Sequence, residues 1–144
     1  MLRVEELIIG DWVRIIDDDA NQSFETRITG VSGLGNIYAP LPEGEHAYPF
    51  SVDCIEPIPL TPEILEKNGF VETDAVVVGS RKMIWESEGG RTEITIWMDD
   101  TIPMDIRKNI YYEDEVWYTL PFACTVHELQ HALRLCGIDK EIEL

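Results

Sequence analysis

Apolar and polar residues alternate in short bursts over the first 57 residues, and turn-forming residues separate the bursts. "IIGDWVRII" is rich in β-branched and aromatic residues, with Gly10-Asp11 as a turn. "DDDANQ" reads as a polar turn, and "FETRITGVSG" alternates loosely until its glycine. "NIYAPLPEGEHAYPF" is broken by prolines and glycine, so it is expected as a loop between edge pieces. "SVDCIEPIP" closes the unit. About five short strands with turns between them predict a small SH3-like β-barrel over residues 1–57.

The pattern changes at "LTPEILEKNGF". Thr61 is placed to cap a helix, Pro62 suits its first position, and Glu63 meets the positive end of the helix dipole. Gly69 can turn left-handed at the far end, folding Phe70 back on Leu65. Strand-like runs follow in "DAVVVG", "KMIWES" and "TEITIWM", the last two joined as a hairpin by "EGGR". "IYYEDEVWY" predicts one further strand. A second helix covers 126–136 and stops at Gly137, after which "KEIEL" is expected to return as a short strand. The expected class is α+β: the barrel-like unit at 1–57, then an α+β unit at 58–144 with an antiparallel sheet and two helices.

Charge narrows the set of partners. The chain has 144 residues, with 28 acids against 11 bases and a net charge of −17. Residues 1–57 hold 11 acids and 3 bases, so the acidity is not confined to one tail. Such a surface repels phosphate backbones and anionic lipid, which argues against direct nucleic-acid or membrane binding and admits a protein partner. An acidic DNA mimic, inhibiting a basic host protein, fits the same numbers. No apolar run reaches the length of a membrane span, and "MLRVEELIIG" lacks the basic start of a signal peptide. Three cysteines, Cys54, Cys124 and Cys136, do not make a disulfide framework. A cytoplasmic location is the expectation.

The sharpest chemical signal is His127-Glu128-Leu129-Gln130-His131, the H-E-x-x-H pattern of zinc peptidases. Residues four apart share a helix face, so His127 and His131 could hold one zinc while Glu128 activates its water. A third ligand is missing from the usual downstream positions, where Arg134 and Gly137 stand. On a helical wheel Phe122, Val126, Leu129, Leu133 and Cys136 gather on one side; His127, Gln130, His131 and Arg134 gather roughly opposite. The imidazoles are therefore expected to face away from Leu129 and Leu133. Thr125 to Glu128 also spells a capping box, with Cys124 and Leu129 as its hydrophobic staple. Cys124, His127 and His131 could hold a structural zinc only with a fourth ligand.

Other constellations are weaker. Asp17, Asp19, Asn21 and Ser23 alternate as in a calcium loop, but Gln22 and Ile28 stand where glycine and glutamate belong. Cys54 and Cys136 have no base beside them in sequence, and His46 lies in a loop. No glycine-rich phosphate loop is present. Trp85, Trp97, Tyr111, Tyr112, Trp117 and Tyr118 fall on strand-like stretches, where cross-strand packing is the ordinary role.

"IGDWV", "IEPIPLTPEILEKNGF" and "VHELQHALRLCGIDKEIEL" together resemble a family of small uncharacterised proteins of gut Bacteroidales and of their phages and mobile elements. The resemblance spans nearly the whole chain and is weakest in the middle strands. It implies a mobile-element context and brings no catalytic residue or cofactor. The expectation is a non-enzymatic accessory or binding protein without a cofactor. The alternative is a zinc hydrolase with His127 and His131 as ligands and Glu128 as base.

Overall fold

A computed structural model describes residues 2–73, 80–90, 92–99, 102–111, 115–119 and 125–144. The chain divides into two compact units, Met1–Ile58 and Pro59–Leu144. All strand pairing in the described residues is antiparallel, and two α-helices accompany it, which makes the fold α+β.

The first unit holds six strands: β1 (Trp12–Asp17), β2 (Gln22–Arg27), β3 (Gly30–Val31), β4 (Asn36–Pro40), β5 (Ala47–Ser51) and β6 (Ile55–Pro57). They form two three-stranded sheets, β2-β1-β6 and β3-β4-β5, and neither is closed into a barrel. Alternation decides which side faces in: Val13 and Ile15 of β1 are buried, while Arg14 and Ile16 on the other face are only partly covered. Val13, Ile15, Ile28, Ile37, Ala39 and Ile55 make the core, with Leu2 and Leu7 added from the N-terminal segment. Each fully buried isoleucine contributes about 1.5–3 kcal/mol relative to exposure. Phe24 of β2 and Phe50 of β5 meet edge to face, with centroids 6.0 Å apart, and so link the two sheets.

Local chemistry shapes the connections. Asn21 sits at φ 48° in the β1–β2 turn, where Asp17 Oδ1 accepts a hydrogen bond from the Ala20 amide at 3.1 Å. The Gly10-Asp11 turn is tied twice: Ile28 O accepts from Gly10 N at 2.7 Å, and Asp11 O accepts from Ile28 N at 2.9 Å. The stretch expected as a loop, 36–50, is instead the β4–β5 hairpin. Pro49 pairs with Tyr38 in register, and β5 is an edge strand, where a missing N–H can face outward without breaking the ladder.

The second unit begins with α1 (Pro62–Lys67). Thr61 Oγ1 accepts from Ile64 N at 3.3 Å, and Pro62 opens the helix. At its far end Phe70 N donates to Leu65 O at 3.0 Å and Gly69 N to Glu66 O at 3.1 Å. This Schellman ending needs the positive φ of Gly69, 86°, and it buries Phe70 and Leu65 together with the helix end.

A five-stranded sheet follows, in the order β11-β10-β9-β8-β7. Its strands are β7 (Val71–Thr73), β8 (Ser80–Glu86), β9 (Thr92–Asp99), β10 (Ile102–Tyr111) and β11 (Glu115–Thr119). The expected hairpin joins β8 and β9, where Ser87 N donates to Thr92 O at 2.8 Å. Central β9 is buried on both faces, with Ile94, Ile96 and Met98 on one and Glu93 and Thr95 on the other. "DAVVVG", 74–79, lies outside the described residues. The single strand expected over 110–118 is instead divided between two antiparallel partners, with Tyr111 opposite Glu115.

The chain ends in α2 (Val126–Leu135) and an extended segment. Gly137 at φ 71° and the bond from Ile138 N to Leu133 O at 2.9 Å close the helix as α1 is closed. The strand expected over 140–144 is absent. A side chain takes the place of a neighbouring strand: Asn68 donates to Glu143 O at 2.7 Å and accepts from Glu143 N at 2.8 Å. Lys67 Nζ donates to the Leu144 carbonyl, and Ile142 is fully buried.

Candidate functional site

The H-E-x-x-H segment occupies the first two turns of α2, with Thr125 as N-cap. Glu128 Oε2 accepts from Thr125 N at 3.2 Å, so the motif's carboxylate closes a capping box. Thr125 Oγ1 lies 3.1 Å from Nδ1 of His127, which engages one nitrogen of that ring. Thr125 also bridges to Pro59 on the chain entering α1. The cysteine expected to complete the staple, Cys124, lies outside the described residues, as does Phe122.

The helix buries a wider face than the wheel predicts. Val126, Leu129, Ala132 and Leu133 are inside as expected, but so are His127, at 4% exposure, and Gln130, at 5%. His127 is thus on the side away from Leu129 and Leu133 that the wheel gives it, but that side is buried as well, not solvated. The buried arc spans roughly 220° of the wheel in the first two turns, and it narrows toward the exposed Arg134 and Leu135. A two-sided wheel misjudges this helix because burial changes along its axis as well as around it. His131 is half-buried, and its ring meets that of His127 edge to face at 5.7 Å.

The two imidazoles are thus close, as the spacing of four dictates. A structural or catalytic zinc needs at least one further protein ligand. Among the described residues, no three His, Cys, Asp or Glu side chains are grouped so as to hold a metal ion. His46 is exposed on the β4–β5 hairpin of the first unit.

The remaining sequence candidates are scattered. Asp17 and Ser23 are on adjacent strands, and Asp19 and Asn21 are in the turn between them. Cys54 is exposed and free, and it ends the short 3-10 turn Val52–Cys54. Cys136 is half-buried; desolvation pushes its thiol above the usual range, and nearby Lys108 only partly opposes that shift. Lys108 Nζ donates to the Cys136 carbonyl at 2.8 Å, so this amine serves the helix end. Trp85 and Trp97 are half-buried, each with a lysine ammonium over its ring: Lys140 at 5.8 Å and Lys82 at 5.3 Å.

One surface feature escapes a motif search. On the first unit, β2 and β4 lie together where Thr26 Oγ1 donates to the Pro40 carbonyl at 2.9 Å. Beyond that bond the chain segments part. Between Gln22–Phe24 and Leu41–Glu43 they leave an open depression of about 580 Å³. A second depression, of about 430 Å³, is bounded by Ile15, Phe50, Cys54 and Asp17–Asp19. Asp17 borders both, and the Phe24–Phe50 pair contributes one ring to each. The only advance signal was the charge run "DDD" beside a strand; the partner loop is fifteen or more residues distant in sequence.

Asp11 and Asn68 were also missed. Asp11 is fully buried, and its Oδ2 accepts from Ile8 N at 2.8 Å. Both carry structural hydrogen bonds. No protein-family model, curated protein or solved structure matches the chain in comparison.

Proposed function

We propose that this chain is a non-enzymatic accessory or binding protein, associated with a phage or mobile element of gut Bacteroidales and acting in the cytoplasm. On this reading the first unit is an open SH3-like barrel that presents a binding surface. The observation that carries the non-enzymatic reading is the position of Glu128. A general base must aim a carboxylate at a metal-bound water. The Glu128 carboxylate instead accepts the backbone amide of its own helix cap at 3.2 Å. Support for the mobile-element context comes from the "PIPLTP" run and the terminal helix sequence.

A zinc hydrolase is the second reading, in which the adjacent His127 and His131 rings would share one metal. Two variants separate the readings, because glutamine keeps the capping geometry and cannot act as a base. Glu128→Gln is expected to leave stability near wild type, and Glu128→Ala to cost about 1 kcal/mol. The protein, purified without chelator, is expected to carry no stoichiometric zinc and to hydrolyse no peptide. Stoichiometric zinc lost in His127→Ala and His131→Ala, with peptidase activity lost in Glu128→Gln, would establish the hydrolase.

A further inference from the structure

We infer that the paired depressions on the first unit form a docking groove for an extended, cationic peptide segment whose residues alternate basic and apolar. The inference rests on the reading of this chain as a binding protein and names the partner's chemistry. Two independent features point to that occupant. The floor is apolar: Phe24, Phe50, Leu41 and Ile15 line the depressions. Leu41 remains 39% exposed although it belongs to that lining. The rim is acidic: Asp17, Asp18, Asp19 and Glu43 are all exposed around it.

No base lines either depression among the described residues. Two of the three bases of this unit are engaged elsewhere: Arg14 pairs with Glu25 at 3.0 Å, and Arg27 lies over the Trp12 ring at 5.0 Å. The groove's negative field is therefore not neutralised within its own walls. An apolar ligand alone would leave four carboxylates without a countercharge, and a purely polar cation would leave the aromatic floor wet. An extended chain satisfies both, since successive side chains point to opposite sides and can meet rim and floor in turn. The first depression also borders Gln22–Phe24 of β2, an edge strand of its sheet, whose backbone can receive an extended partner.

The test uses the full chain and a blocked octapeptide of alternating arginine and leucine, titrated by calorimetry at 0.15 M salt. An arginine–glycine octapeptide and a glutamate–leucine octapeptide serve as controls. The triple variant Asp18→Asn, Asp19→Asn, Glu43→Gln is expected to weaken binding of the arginine–leucine peptide about tenfold. A triple of equal charge change at exposed positions elsewhere, Glu5→Gln, Glu56→Gln, Glu88→Gln, is expected to leave it nearly unchanged. Leu41→Ser alters only a half-exposed loop side chain and is expected to weaken binding about fivefold without loss of fold. Bound peptide is also expected to slow maleimide labelling of Cys54, which borders the second depression. Equal weakening by both triples, or equal binding of the arginine–glycine peptide, overturns the inference by showing attraction to net charge alone. Absence of saturable binding, or unchanged Cys54 labelling at saturation, also overturns it. Neither result bears on the zinc and peptidase assays, so this groove and the non-enzymatic reading fail separately.

Discussion

Asn68 should hold the C-terminal segment in place, and its replacement should measure how strongly. The side chain is 5% exposed and uses both amide hydrogens, to Ile64 O at 2.8 Å and to Glu143 O at 2.7 Å. Its oxygen accepts from Glu143 N at 2.8 Å. Asn68→Ala removes three hydrogen bonds, each worth about 0.5–1.5 kcal/mol net. Glu143 is exposed, so its freed backbone groups can turn to water, and the expected loss settles at about 2 kcal/mol. Asn68→Asp is the sharper variant, because it keeps the shape and reverses one side of the chemistry. An oxygen would then face the carbonyls of Ile64 and Glu143, and a charge would be buried among them. Both effects raise the carboxyl's folded pKa above its unfolded value. The folded state then holds the proton longer, so stability is retained below the unfolded pKa and falls as pH rises toward the folded one. Urea unfolding at pH 5.5 and 8 tests this while staying clear of the isoelectric point near 4.3. Trp85, Trp97 and Trp117 report from the same unit as Asn68. Hydrogen exchange of residues 138–144 adds a local readout, since release of the segment also exposes Ile142. The reasoning fails if Asn68→Ala stays within about 0.5 kcal/mol of wild type. It fails equally if Asn68→Asp shows no added loss between pH 5.5 and 8.

Gly69→Ala is expected to cost about 1–2 kcal/mol in thermal or urea unfolding, because φ of 86° is strained for any residue with a Cβ; Gly69→Asn should cost less. Exposed Cys54 is expected to react with iodoacetamide well before Cys136 at pH 8, read by mass mapping, because burial keeps the Cys136 thiol protonated. Glu72→Gln is expected to change unfolding little at pH 7. The bidentate pair with Arg81, at 2.8 Å for both contacts, lowers the Glu72 pKa but stands in solvent. What small contribution it makes is present above the unfolded carboxyl pKa and lost as pH falls through the folded one.

How far the sequence carries depends on whether a signal is local. Thr61, Pro62, Gly69 and Phe70 act within one helix and its ends, and each is found in the role its chemistry dictates. The Thr125–Glu128 cap and the β8–β9 turn belong to the same class. Prolines misled because their effect depends on strand position. Pro49 would break a central strand, but on the edge strand β5 it pairs with Tyr38 in register. The C-terminal segment misled for a related reason. "KEIEL" has the pattern of a strand, but the backbone of Glu143 is held by an amide side chain 75 residues away.

The same distinction governs the two candidate sites. H-E-x-x-H is a local pattern, and helical geometry guarantees that His127 and His131 approach each other whatever the helix does. Their proximity therefore carries little information about function. What would carry it is a third group brought in from elsewhere, and among the described residues none completes such a set. The groove has the opposite character. Asp17–Asp19 and Phe24 come from the β1–β2 hairpin, Leu41 and Glu43 from the β4–β5 loop, and Phe50 from β5 itself. No spacing rule assembles those residues; only the folding of two sheets does. A surface that two separate hairpins converge to build, with one sign of charge around an aromatic floor, is the stronger pointer to a partner, even though no motif announces it.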